Sequence, residues 1–148
     1  MGDTMELLKQ TGMMIDYIVE GLKNVDEETR LRIMEKCGEA CAESTSLNIA
    51  EKIAEETEVI DLILFRANKE IPWCGKWVLS ENKISSTCVE CGCPLVRHGV
   101  VNLTETFCLC SRGWVKTIFE VLLRRPVDVE LRKAIGRGDD TCRYDVYF

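Results

Sequence analysis

The sequence predicts an α+β domain, with N-terminal helices packed on an antiparallel sheet and one helix inserted between C-terminal strands. Three observations carry this reading. Up to about residue 70 the apolar residues recur at three- and four-residue intervals, the period of helices that bury one face. From Trp73 onward several short runs alternate with a period of two, as strands with one face on a core do. Between Cys110 and Pro126 the helical period returns once.

Met5, Leu8, Met14, Ile15, Ile18, Val19 and Leu22 predict a first amphipathic helix, with Gly12 as its soft spot. Asn24 or Asp26 ends it, and Asp26 then caps a second helix whose first turn carries Glu27 and Glu28. Met34, Cys37 and Cys41 share a face of that helix, and Gly38 permits another element to approach closely. Ser44-Thr45-Ser46 breaks the pattern, and Ser46 caps the next helix, which carries Leu47, Ala50, Ile53 and Ala54. A following helix carries Val59, Ile60, Ile63, Leu64 and Ala67 and stops before Pro72. Lys76–Ser80 and Lys83–Thr87 read as a hairpin turning at Glu81-Asn82. Pro94 and Gly99 bracket a short strand, and Val100–Leu103 reads as another. Thr106–Leu109 leads to Ser111 as the cap of a helix bearing Trp114, Val115, Ile118, Phe119, Leu122 and Leu123, which Pro126 stops. Val127, Val129 and Leu131 alternate as a strand, Gly136–Asp140 forms a turn, and the last strand sets Cys142, Tyr144, Val146 and Phe148 on one face.

With 148 residues, 46% of them apolar, the chain is expected to form one domain, mainly helical over 1–70 and a Cys-rich sheet and helix over 71–148. A net charge of −6 argues against a nucleic-acid partner. Arg124, Arg125, Arg132, Lys133 and Arg137 concentrate positive charge near the C-terminal end, where a solvated face explains them. No apolar run approaches the ~18 residues of a membrane span, and no secretory leader is recognisable, so a cytoplasmic location without membrane partners is expected.

Cys88, Cys91, Cys93, Cys108 and Cys110 follow the spacing C-x2-C-x-C and then C-x-C, in a chain with one histidine. Short thiol pairs on neighbouring segments are what a tetrahedral zinc site needs, so zinc is the expected cofactor. Neither common ferredoxin spacing is present. Four thiolates would close the site as a structural one, whereas three would leave a position where bound water becomes a nucleophile. The alternative for any of these residues is a reduced thiol buried as a small hydrophobe. The odd count of nine cysteines argues against a disulfide framework. Cys37 and Cys41, four residues apart on a helix, are candidates to join a metal or ligand site. His98 is a candidate ligand contact or general base to a thiol nucleophile, and Trp73 and Trp77 are candidates to line an apolar pocket.

From Cys108 through Gly113, Trp114, Pro126, Val127 and Gly138 to Cys142, the chain resembles the 4-vinyl reductase domain family. That resemblance implies an α+β fold related to haem NO-binding and TRAPP-type domains, and binding of a small apolar or cyclic molecule. In the sensors of that family a zinc site uses two ligands at the positions of Cys108 and Cys142. The other two positions are occupied here by Leu131, with Glu130 beside it, and Ala134, so the remaining donors must come from other thiols. The whole chain also resembles small proteins grouped with L-2-amino-thiazoline-4-carboxylate hydrolases, through Cys37-Gly38 with Cys41, Cys91-Gly92-Cys93-Pro94, Cys108–Trp114 and Gly138–Tyr144. This implies the rival reading, a thiol- or zinc-dependent hydrolase of a small cyclic amidine or amide. A dimerisation module is a third reading, favoured if the first helix packs on a partner, and it leaves room for a homodimer.

Overall fold

A computed structural model describes residues 2–148. Four helices come first: α1 (Gly2–Gly21), α2 (Glu27–Thr45), α3 (Leu47–Glu56) and α4 (Ile60–Glu70). The hairpin β1 (Val78–Ser80) and β2 (Lys83–Cys88) follows, then a one-turn helix α5 (Pro94–Arg97) and the long α6 (Glu105–Leu123). Strands β3 (Asp128–Lys133) and β4 (Cys142–Tyr147) close the chain. The α+β reading holds: the sheet is antiparallel throughout, in the order β1-β2-β4-β3, and α6 intervenes between the hairpin and the last two strands.

Local chemistry fixes the helix starts. The Asp26 carboxylate accepts the Thr29 N–H at 2.9 Å and caps α2. Thr104 does the same for α6, its hydroxyl accepting the Phe107 N–H at 3.1 Å. Arg124 ends α6 in the left-handed conformation at φ 52°, two residues before Pro126.

Helix α6 is the spine of the core. Val115, Ile118, Phe119 and Leu122 are sealed between α3 and α4 on one side and Ile84, Val129 and Val146 of the sheet on the other. Trp73 stacks on Trp77 and Trp114 with centroids 5.1 and 4.9 Å apart, and Phe119 and Tyr144 meet these rings edge-on. The α2–α6 crossing is closer than side chains allow. A methyl group on Gly38 would overlap the Cys110 carbonyl oxygen, and one on Gly113 would overlap the Glu35 carbonyl oxygen. The two glycines therefore bring backbone against backbone, so α2 is positioned by α6 directly.

On the outer face of β4, Asp145 is almost fully buried. Lys83, Arg132 and Arg143 surround it at 3.3, 3.0 and 3.6 Å, and the Ser85 hydroxyl donates to it at 2.7 Å. Burial alone would raise its pKa, but the hydrogen bonds from Ser85, Lys83 and Arg132 outweigh that and hold it below the ordinary carboxylate range.

Three expectations are corrected. Residues 94–97 form a helix where a strand was expected, because Pro94 occupies the first helical position, where its fixed φ fits and its missing N–H costs nothing. Val100–Leu103 pairs with no strand; the Val100 and Val101 N–H groups both donate to the Leu95 carbonyl. Helix α6 begins at Glu105, so Ser111 lies inside it and donates back to the Cys108 carbonyl at 2.6 Å. The stripe expected to seat α1 is also narrower than its periodicity suggested. Gly12 and Val19 are buried, whereas Met5, Leu8, Met14 and Ile18 are exposed. Gly12 is a contact, since a side chain there would overlap the Val100 carbonyl.

Phe119 is 1% exposed in the aromatic core, and Phe119→Ala is expected to cost about 3–5 kcal/mol in equilibrium unfolding. Gly113→Ala, which forces a methyl into the α2 backbone, should cost about 3 kcal/mol, although alanine is the better helix former. An unfolding curve unmoved by either change would contradict this packing.

Candidate functional site

Seven of the nine cysteines are free thiols, and four separate parts of the fold supply them. Helix α2 carries Cys37 and Cys41, the loop after β2 carries Cys91 and Cys93, α6 carries Cys108 and Cys110, and β4 begins at Cys142. The other two are bonded. Cys74 and Cys88 form a disulfide across 14 residues of sequence, so Cys88 has no thiolate to offer and leaves the candidate set. The odd cysteine count misled here: it excludes complete pairing but not one pair whose Cα atoms lie 5.2 Å apart. A side chain on Gly92 would strike Cys74, so the bonded pair seats the Cys91-Gly92-Cys93 loop from behind.

Cys91, Cys108 and Cys142 make the first group. Burial pushes the Cys108 thiol up to about 11, and any charge on Cys142 or Cys91 raises it further, while a hydrogen bond from the Gly136 N–H opposes. Burial also raises Cys91, with Cys93 and Cys142 adding repulsion. The Tyr144 phenol is raised in the same way, by burial first and then by these three thiols. Its hydroxyl donates to Ser111 at 2.8 Å. The backbone of one turn meets two of the sulfurs: the Ile135 N–H donates to Cys142 Sγ at 3.4 Å, and Gly136 lies against Cys108 Sγ. A Cβ on residue 136 would stand 2.5 Å from Cys108 Sγ, so glycine is what lets the backbone reach the sulfur.

Cys41, Cys93 and Cys110 make the second group, with Cys37 at its exposed edge. Burial pushes Cys110 up to about 12, and Cys41, Cys37, Cys93 and Cys108 add to it. Cys41 is raised by burial and then by Cys93. The Gly38 crossing brings this group together, because it sets the α2 backbone on the Cys110 carbonyl.

Without a cation Cys41, Cys91, Cys108 and Cys110 are protonated at neutral pH, since burial first, and neighbouring thiols second, raise them above the ordinary thiol range. Among the described residues no three His, Cys, Asp or Glu side chains stand preassembled in metal-bonding geometry. Of the ligand positions that the resemblance implied, Cys108 and Cys142 hold free thiols. Leu131 packs on the core and Ala134 is buried, so neither donates, while Glu130 faces outward in an ion pair with Arg132 at 2.8 Å. Cys91 is the third free thiol of this group, close enough for Cys142 to act on it.

The remaining candidates lie elsewhere. Trp73 and Trp77 belong to the aromatic stack, where Trp73 donates to Ser86 at 3.0 Å. His98 is exposed at the end of α5, and no hydrogen bond joins its ring to a thiol among the described residues. Sequence reasoning missed Gly136, Ser111 and the Cys74 partner. Gly136 was legible only as a turn residue, because the sulfur it serves comes from a helix 28 residues earlier.

The chain belongs to a family of unknown function, DUF6144, whose pattern matches residues 6–147. No curated protein matches it. Among solved structures it is similar to a vinyl-4-reductase family protein from Methanocaldococcus jannaschii, with 14% identity over 93% of this chain and 78% of that chain and a TM-score of 0.38. No helix is long and apolar enough to cross a membrane among the described residues.

The raised thiols fix a pH dependence for the metal-free protein. Stability due to protonated Cys108 and Cys110 is fully present below the unfolded thiol pKa of about 8.5 and is lost as pH rises through about 11 and 12. Urea midpoints should therefore fall between pH 8 and 10.5, and fall less in a Cys108→Ala/Cys110→Ala variant. Equal falls in both proteins would show that these thiols are not desolvated.

Proposed function

For this member of a family of unknown function, we propose a zinc-thiolate, small-molecule-binding domain whose metal site is Cys91, Cys108 and Cys142. The observation that carries it is the Ile135–Gly136 backbone, whose Ile135 N–H donates to the Cys142 sulfur at 3.4 Å while Gly136 packs directly on the Cys108 sulfur. Such a donor stabilises sulfur as thiolate, the form in which it binds metal, and is the outer-shell support that orients a metal ligand. Each cysteine has one side-chain torsion to the sulfur, so rotation between staggered positions is the movement that draws the three sulfurs onto an ion.

The supporting argument is electrostatic. The same burial and thiol–thiol repulsion that keep Cys91 and Cys108 protonated make a soft dication the group best able to discharge them. Bound zinc supplies a Lewis-acid centre, and three protein donors leave one position for an exogenous molecule. Cys91 is half-buried on a surface loop, which puts that position within reach of solvent. Tyr144 and Ser111 stand beside the site as a hydrogen-bonded pair that orients without reacting. The binding reading is supported by the thiols' surroundings, where no His, Asp or Glu side chain hydrogen-bonds to a sulfur among the described residues. The hydrolase reading draws support from the open position alone, because His98 is not joined to a thiol.

Protein purified without chelator is expected to carry about one zinc per chain, falling below ~0.2 in Cys108→Ser or Cys142→Ser. Cys37→Ala should leave the content unchanged. Metal analysis that finds no zinc in the wild type, or an equal content in all three variants, would contradict the assignment.

A further inference from the structure

Helix α1 carries a second apolar stripe that nothing covers. Gly12, Ile15 and Val19 seat it on the domain beside Met34, Val101 and Phe107, and Asn102 donates twice to Asp16, at 2.9 and 3.0 Å. Every residue from Gly2 to Thr11 is nevertheless exposed, as are Met13, Met14, Tyr17 and Ile18. Met5 is 69% accessible and Tyr17 75%. Leu7, Thr11, Met14 and Ile18 recur at four, three and four residues, the spacing of a helix–helix seam, and this stripe is turned away from the one seated on the domain. The projecting first turns leave this stripe facing water among the described residues.

The outer face of α2 offers a surface to cover it. Arg32, Ile33, Lys36, Cys37 and Ala40 line a shallow depression of about 580 Å³, with an apolar floor of Ile33, Cys37 and Ala40 between two cations. Arg32 enters no ion pair among the described residues, and Lys36 pairs in solvent with Glu39 at 2.9 Å, with Glu43 also acting on it. The projecting turns of α1 carry Asp3 and Glu6 against a single Lys9. An acidic helix with an apolar stripe thus matches a basic-rimmed apolar groove of the same chain. The match disfavours a lipid surface, since helices that lie on anionic membranes are rich in Lys and Arg.

We propose that the chain forms a two-fold homodimer in which each α1 lays its Leu7–Met14–Ile18 stripe in the α2 depression of the other copy, with Asp3 and Glu6 against Arg32 and Lys36. The contact is reciprocal, as a two-fold interface requires. From Asp3 to Ile18 the helix is ~23 Å long and ~10–12 Å wide, and two such footprints, each covering two surfaces, bury about 900–1,100 Å², the size of a weak, exchanging interface. This proposal does not depend on the zinc reading.

The test is light scattering on the full chain across about 1–100 µM. The wild type is expected at twice the 16.8 kDa protomer mass. Met14→Glu should raise the dissociation constant at least ~100-fold. An Arg32→Glu/Lys36→Glu variant and an Asp3→Lys/Glu6→Lys variant should each be monomeric, and mixing the two should restore a dimer. These four positions are exposed, so the charge pair decides the question even if Met14→Glu misfolds. A wild type that stays monomeric at the highest concentration would overturn the proposal. So would a dimer that survives all three variants, or a monomer that instead sediments with phosphatidylcholine–phosphatidylglycerol vesicles.

Discussion

The backbone contact between α2 and α6 is the constraint on which the rest depends. Gly38 and Gly113 each present no side chain where the other helix passes, and the two backbones meet at the Cys110 and Glu35 carbonyls. That closeness has a chemical consequence. Cysteine is short, so thiols on two helices reach one another only if the helices nearly touch, and Cys37, Cys41 and Cys110 straddle this crossing. The opposite side of α6 carries the aromatic core, which holds the helix against the sheet and so fixes where Cys108 meets Cys142.

Chemistry that looks uniform in composition separates into three roles in the fold. One cysteine pair is spent on structure: the Cys74–Cys88 bond ties the segment before β1 to the end of β2 and backs the Cys91–Cys93 loop against Gly92. Three thiols lie where the backbone of the turn after β3 meets two of their sulfurs. Four more cluster at the helix crossing with no such contact, which is why the proposed metal site is placed with the first group. Burial acts with the same sign in both groups, raising the thiol pKa values of Cys91 and Cys108 in one and of Cys41 and Cys110 in the other.

Much of the fold was legible because it rests on period and punctuation. Asp26, the hairpin at Glu81-Asn82, and the alternation of Cys142 through Phe148 each specify structure within a few residues. The start of α6 was misplaced because Ser111 and Thr104 are both competent caps, and tertiary packing of Thr106, Phe107 and Cys108 extended the helix to the earlier one. Asp145 was unreadable: on an outward face between Arg143 and Tyr147 it looks solvated, and only the pairing of β4 with β2 and β3 brings Ser85, Lys83 and Arg132 over it. The candidate site was legible as a composition and illegible as a geometry. Spacing nominated Cys88, Cys91 and Cys93 together, and only the three-dimensional arrangement bonds Cys88 to Cys74 and brings Cys91 to Cys142, 51 residues further on.

The central claim is that two buried thiols and one half-buried thiol, from different elements, become one metal site with a free position. X-ray absorption at the zinc edge of the zinc-replete protein tests it most directly. The account predicts three sulfur neighbours at about 2.3 Å and one lighter oxygen or nitrogen neighbour near 2.0 Å. A shell without sulfur, or a closed shell of four sulfurs, would contradict it.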